Sequence, residues 1–195
     1  MKYDVILAGV GGQGVLSIAT ILAVAAVDAD LRLRQAEVHG MSQRGGEVQS
    51  HLRIADRPIY SDLIPVGGAD LLLSMEPMEA LRYVSFLKPD GVIVTERTPL
   101  ININNYPEID RVIAALEQFP RVVLVDAEGV AREMRATRSS NMVLLGAASA
   151  FVPLPGADLE AAIGKVFGRK GESMVAQNVE AFRRGRAIAE GAHAG

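Results

Sequence analysis

The feature that most constrains this chain is an apolar run, Tyr3-Asp4-Val5-Ile6-Leu7, that leads directly into Ala8-Gly9-Val10-Gly11-Gly12-Gln13-Gly14-Val15. Glycine lacks a Cβ and tolerates positive φ, so Gly9, Gly11 and Gly14 can turn a strand sharply into a helix while the backbone approaches a neighbour closely. The spacing matches the dinucleotide fingerprint G-x-G-x-x-G in its strand-to-helix context. Two readings stay open at this point. The amides of the turn face a nucleotide phosphate, or the glycines serve close packing of a helix on a sheet with no ligand.

The rest of the chain alternates β-branched runs with helical patterns, which predicts a parallel sheet flanked by helices. Strands are expected at 3–8, 31–37, 47–54, 70–75, 91–95 and 121–125. Helices are expected at 14–27, 77–87, 108–119, 128–135, 141–151, 159–167 and 172–190. The fold class is therefore α/β, a three-layer α/β/α arrangement with a Rossmann-like, mostly parallel sheet. At 195 residues and 49% apolar composition, one domain spanning 1–195 has ample material for a core. The 172–190 segment carries Met174, Val175, Val179, Phe182 and Ile188 on one side, as expected of a helix that packs on the domain or on a partner.

Composition narrows the function classes. A net charge of −3 without any run of Lys and Arg argues against a nucleic-acid partner. Apolar stretches such as 21–27 are far shorter than the roughly 18 residues of a spanning helix, so no membrane role is expected. The start of the chain runs into a strand with no signal peptide, and cytoplasmic localisation is expected. Cysteine is absent, which excludes disulfides, thiolate catalysis, zinc–thiolate sites and cysteine-held iron–sulfur clusters within this chain.

A second glycine-rich element follows the second strand: Glu37-Val38-His39-Gly40-Met41-Ser42-Gln43-Arg44-Gly45-Gly46-Glu47. Ligands of open parallel sheets bind outside the carboxyl ends of the strands, so this loop is expected beside the first glycine turn. Arg44 offers a forked donor for carboxylate or phosphate, and His39, Ser42 and Gln43 offer neutral hydrogen bonds. The alternative is a solvated surface turn. A dinucleotide site needs an acid about 20 residues after the glycines, and Glu37 is available. Its strand argues otherwise, because Arg32 and Arg34 alternate with Leu31 and Leu33 as in a half-exposed strand.

Other constellations carry less. His39 and His51 lack neighbours at metal-ligand spacing, and no G-x-S-x-G elbow is present. Gln49, His51 and Arg53 share one face of the third strand, expected to meet solvent or, preferably, an interface. Glu76, Glu96 and Asp126 follow apolar runs and could reach a crevice, although Asp126 stands where a helix cap is expected and Glu76 precedes a proline-started helix. Asn141 is expected to cap a helix.

Taken together, Gly9-Val10-Gly11-Gly12-Gln13-Gly14, His39-Gly40-Met41-Ser42-Gln43-Arg44-Gly45-Gly46 and Asn141-Met142-Val143-Leu144-Leu145-Gly146-Ala147 resemble the gamma-type domain of the 2-oxoacid:ferredoxin oxidoreductases, in particular the small beta subunit of the indolepyruvate enzymes. The resemblance runs over nearly the whole chain. It implies a subunit of an enzyme that oxidatively decarboxylates an aryl 2-oxoacid to acyl-CoA and passes two electrons to ferredoxin. It further implies that thiamine diphosphate and the iron–sulfur clusters belong to a large partner subunit and that CoA is a co-substrate. Gly9, Gly11, Gly12, Gln13 and Gly14 are carried over as the first binding loop, and His39, Ser42, Gln43, Arg44, Gly45 and Gly46 as the second. No catalytic residue is assigned. Two alternatives compete with the subunit reading: a free-standing NAD-binding dehydrogenase that uses Glu37, and a non-catalytic assembly module whose glycine turns serve packing only.

Overall fold

The computed structural model of the chain describes residues 1–39 and 45–193. A single six-stranded sheet has the order β2-β3-β1-β4-β5-β6, with β1 at Lys2–Val10, β2 at Arg32–His39, β3 at Glu47–Ala55, β4 at Ala69–Ser74, β5 at Leu87–Glu96 and β6 at Val122–Val125. β1, β4, β5 and β6 pair in parallel, whereas β3 is antiparallel to both β1 and β2. The expected mostly parallel α/β sheet is therefore present, with β3 alone reversed among the described strands.

Alternation of side chains along β1 sorts the core into two layers. Val5 and Leu7 pack with α1 (Val15–Asp28), α5 (Ser140–Ala148), α6 (Gly156–Phe167) and α7 (Glu172–His193). Ile6 and Ala8 face the opposite layer, built from α2 (Pro77–Tyr83) and α3 (Ile109–Leu116). β1 is thus covered on both faces, as its unbroken apolar run requires. The helix expected over 77–87 is shorter. It gives way to a 3-10 turn at Val84–Phe86, and Leu87 joins the sheet opposite Ala69. Pro89 accounts for this, since its ring disfavours helical backbone in the residue before it.

His51 and Arg53, on one face of β3, are buried within the chain. The segment after β3 folds back over that face. Arg53 donates from Nε and Nη2 to the two carboxylate oxygens of buried Asp4, at 3.0 and 3.2 Å. Its Nη1 donates to the carbonyls of Ser61 and Leu63 at 3.0 and 2.9 Å. His51 Nδ1 accepts the N–H of Ile64 at 3.0 Å, and the ring stands edge-on to Phe86. Burial, with the nearby Arg53 cation, lowers the His51 pKa below its ordinary 6.5, so the ring is held neutral as an acceptor.

The one-sided helix α7 packs on its own chain, with Ala181, Phe182 and Ala189 fully buried against α5 and its neighbours. Two glycines set the approach. A Cβ on Gly146 of α5 would lie 1.9 Å from the Phe182 carbonyl oxygen, and one on Gly185 of α7 would lie 1.8 Å from the Val143 carbonyl oxygen. Both contacts are with backbone, so neither is relieved by a rotamer change. Gly164 of α6, by contrast, has open space where a Cβ would stand. Gly164→Ala is expected to stabilise the protein by up to about 1 kcal/mol through helix propensity. Gly185→Ala is expected to destabilise it by about 2 kcal/mol or more through overpacking. Urea denaturation of the two variants checks this, and a stabilised Gly185→Ala protein would contradict the close crossing.

Candidate functional site

The carboxyl ends of β1, β4, β5 and β6 lie along one edge of the sheet, and the turn after β1 occupies the switch point. From β1 the chain crosses by α1 to the far strand β2. It returns through β3 and then builds β4, β5 and β6 on the other side of β1. Such a reversal opens a crevice between β1 and β4. The first glycine loop sits there, tied in by Gln13. Gln13 Oε1 accepts the N–H of Val10 at 2.7 Å, and its Nε2 donates to the carbonyl of Met75 at 3.0 Å. Both ends of the amide are committed to main chain, so Gln13 acts on this site by holding the turn across the ends of β1 and β4.

The glycines divide the work. Gly12 and Gly14 have φ of 104° and 87°, the left-handed region that side chains disfavour. Gly9 is required by packing, because its Cβ would stand 2.8 Å from Val15 and 3.0 Å from both Gln13 and Met75. The fingerprint therefore carries a turn and a close contact together.

The described end of the second loop, Gly45 and Gly46, lies beside the first turn. β2 and β3 pair as a hairpin, and the residues just before β3 lie against the first turn: Gly11 N–H donates to the Gly46 carbonyl at 2.8 Å, and Gly45 N–H donates to the Gly11 carbonyl at 3.3 Å. Asn102, from the irregular segment after β5, adds a donor to the Gly45 carbonyl at 2.8 Å. His39 is the last residue of β2, paired with Val48. Ser42, Gln43 and Arg44 lie outside the described residues. Between the turn and the start of β3 is a cleft of about 310 Å³, lined by Gly11, Gly12, Leu16 and Val48 among others.

Asn141 is not a helix cap. Ser139 holds the position before α5, and Asn141 lies within the first turn of the helix. From there its Nδ2 donates to the Gly14 carbonyl at 3.3 Å. A Cβ on Gly14 would fall 2.5 Å from that nitrogen. Nothing in the local sequence marks this contact, because the two residues are 127 positions apart. The structure does not bring Glu37 to the turn. Its carboxylate is exposed on the edge strand, accepting from Gln35 at 2.6 Å. With β3 interposed, β2 and β1 are separated by two strand spacings, on the order of 10 Å. The ribose-binding acid of a dinucleotide site is thus not assembled.

The carboxylates that follow the apolar runs serve structure. Glu76 caps α2 by accepting the N–H of Glu79 at 2.9 Å and also accepts from the Tyr106 hydroxyl. Asp126 caps α4 (Ala127–Glu133) through the N–H of Gly129 at 2.8 Å. Glu96, buried at the end of β5, accepts the N–H groups of Arg97, Thr98 and Glu128 at 2.9, 2.9 and 3.1 Å. Burial outweighs these donors and pushes its pKa up to about 7. The group of three or more His, Cys, Asp or Glu side chains that a metal ion needs does not occur among the described residues.

Two measurements check this geometry. Gly14→Ala is expected to cost about 1–2 kcal/mol from backbone strain alone, with a further loss from the Asn141 contact. That further loss should disappear in the Gly14→Ala/Asn141→Ala double variant, so a double-mutant cycle that is strictly additive would contradict the contact. For Glu96, the folded value lies above the ordinary 4.5, so protonation favours the folded state. Its contribution is complete below 4.5 and is lost as the pH rises through about 7. Carboxyl NMR titration should place the Glu96 midpoint near neutrality, and a midpoint below 4.5 would show that the three N–H donors prevail.

Comparison with known proteins agrees with this architecture. Indolepyruvate oxidoreductase subunit IorB of Archaeoglobus fulgidus is 38% identical over 162 residues, covering 80% of each chain. The protein of the same name from Methanothermobacter thermautotrophicus is 33% identical over 192 residues, covering 95% of this chain and 96% of its own. The gamma subunit of a keto/oxoacid ferredoxin oxidoreductase from Geobacter sulfurreducens shares the fold with a TM-score of 0.69, at 24% identity over 97% of this chain and 99% of that one. Residues 4–188 match the family described as pyruvate ferredoxin/flavodoxin oxidoreductase. With its glycine turn, reversed hairpin and gamma-type fold, the chain belongs to the pyruvate ferredoxin/flavodoxin oxidoreductase family.

Proposed function

We propose that this chain is the small subunit of a thiamine diphosphate-dependent indolepyruvate, or more broadly aryl 2-oxoacid, ferredoxin oxidoreductase of the cytoplasm. The observation that carries the reading is the 38% identity to an indolepyruvate oxidoreductase subunit across 80% of both chains. It is supported by the meeting of both glycine loops and Asn141 at one end of the sheet. The complete reaction converts a 2-oxoacid, CoA and two oxidised ferredoxins to acyl-CoA, carbon dioxide, two reduced ferredoxins and a proton. Thiamine diphosphate supplies the carbanion stabilisation for decarboxylation and belongs, with the iron–sulfur clusters, to the large partner subunit. This chain has no cysteine with which to hold such a cluster.

The work left to this subunit is to complete the complex and to shape the cleft that admits CoA or the 2-oxoacid. We assign that role to Gly9, Gly11, Gly12, Gln13 and Gly14 in the first loop and to His39, Ser42, Gln43, Arg44, Gly45 and Gly46 in the second. The Arg44 guanidinium is the donor suited to a carboxylate or phosphate there. The dehydrogenase reading finds no support in the geometry, because Glu37 does not reach the turn.

Anaerobic isolation of the tagged chain from its host should recover a large subunit carrying thiamine diphosphate and iron–sulfur clusters, with CoA- and 2-oxoacid-dependent dye reduction. The chain alone should show none, and turnover by the isolated chain would overturn the reading. In the reconstituted complex, Arg44→Ala should reduce kcat/KM about tenfold, the scale of one charge-assisted hydrogen bond. Unchanged activity with normal assembly would favour the assembly-module alternative.

A further inference from the structure

Between β5 and α3 the chain runs through residues 97–108 with neither helix nor strand, as a strap along the carboxyl edge of the sheet. Burial of its apolar side chains does not hold it down, because Leu100, Ile101 and Ile103 are all exposed, Ile101 at 69%. Polar groups anchor it instead. At its start, Glu96 accepts the N–H groups of Arg97 and Thr98, and Arg97 N–H also meets the Val125 carbonyl at 2.9 Å. At its end, the Tyr106 hydroxyl donates to Glu76, a carboxylate only 1% exposed, and Tyr106 packs with the α2–α3 layer. Between these anchors Asn102 extends its amide to the Gly45 carbonyl at 2.8 Å.

That bond crosses the switch point. Gly45 leads into β3 on one side, the strap leaves β5 on the other, and β1 and β4 lie between. Strands three places apart in a sheet stand about 14 Å from each other, so neighbouring strands alone cannot make this connection. A second group from the same layer reaches the same place: Arg82 Nε, at the far end of the helix that Glu76 caps, lies 3.4 Å from the Glu47 carboxylate. That pair is solvent-exposed and Arg82 is shared with Glu79, so it contributes little. Asn102 supplies the more directional contact.

The composition of the second loop gives the bridge its consequence. Two consecutive glycines, Gly45 with φ of 76° and Gly46, leave the backbone free to take many courses, so bonds from outside must choose one. Two of those bonds tie the pair to Gly11, and Asn102 adds a third from the opposite side of the sheet. Gly45 is also the residue next to Arg44 in the sequence. We infer that Asn102 is a positioning residue of the second glycine loop, held in place by the Tyr106–Glu76 and Glu96 anchors, and that it acts on substrate binding through that loop. Its action on binding rests on the loop's place in the oxidoreductase cleft proposed for this subunit.

The test has two arms. In the first, amide hydrogen exchange of the full chain compares the unaltered protein with Asn102→Ala, Asn102→Asp and Tyr106→Phe. Asn102 is exposed, so its variants should keep the parent Tm. The Gly11 and Gly45 amides should exchange about fivefold faster in both Asn102 variants, the scale of one neutral hydrogen bond, while Ile6 and Leu7 stay protected. Tyr106→Phe should accelerate the same two amides, although the lost hydroxyl bonds to Glu76 and not to the loop. Unchanged exchange at Gly11 and Gly45 in the Asn102 variants, or in Tyr106→Phe, would overturn the strap.

The second arm uses the reconstituted complex. Asn102→Ala should raise the KM for the 2-oxoacid or for CoA about fivefold and leave kcat within about twofold. In the Arg44→Ala background the same substitution should add less than about twofold, because both act through one loop. A fall in kcat at constant KM, or full additivity with Arg44→Ala, would overturn the role in binding. A complex with no 2-oxoacid-dependent turnover would count against the oxidoreductase reading alone, since hydrogen exchange in the free chain still decides whether Asn102 positions the loop.

Discussion

One side-chain amide holds the glycine-turn end of this molecule together. Gln13 takes the N–H of Val10 at the end of β1 and gives its own N–H to the carbonyl of Met75 just past β4. Parallel strands leave their terminal backbone groups unpaired where chains diverge, and such groups are costly if buried unsatisfied. A single glutamine satisfies one from each strand and so fixes the separation of the two strand ends at the switch point. The turn that it braces then receives the hairpin through Gly11, Gly45 and Gly46, and the helical layer through Asn141.

The antiparallel strand β3 gives the fold its departure from a dinucleotide-binding sheet. It lies between β1 and β2, pairing with both. Its insertion carries the second strand, and Glu37 with it, away from the glycine turn. In exchange it brings Gly45 and Gly46, just before β3, onto that turn. The glycine spacing is thus shared with nucleotide-binding proteins while the neighbours of the turn are different. The buried Asp4–Arg53 pair, with the Ser61 and Leu63 carbonyls completing the guanidinium's bonding, anchors β3 in this unusual place. Such a pair is weak evidence for stability, since desolvation offsets its attraction, but its fixed geometry defines one register and one covering loop.

The two sides of the turn differ in chemistry. The hairpin side is bordered by Leu16 and Val48 and by the main chain of the glycines. The α5–α7 side is polar, with two cations and one carboxylate. The close α5–α7 crossing at Gly146 and Gly185 matters here, because it seats Asn178 of α7 behind the glycine turn.

Much of the fold was legible in the sequence. The strands and helices follow from apolar periodicity and from the glycine and proline punctuation, because those patterns report local backbone preference and which face is buried. The caps at Glu76 and Asp126 were legible for the same reason: a cap is an interaction within three residues. The adjacency of the two glycine loops also followed, from the rule that loops at the carboxyl ends of strands share one edge. What the sequence by itself determined was therefore the α/β class, the order of its elements and two of the loops at the candidate site. Only the tertiary structure decided that Asn141 reaches Gly14, that His51 and Arg53 are covered by their own chain, that Glu37 is shut out by β3, and that Asn178 is left with an unpaired amide. These depend on contacts between residues tens of positions apart or more, whose partners are chosen by packing and strand order, and no local pattern encodes that choice.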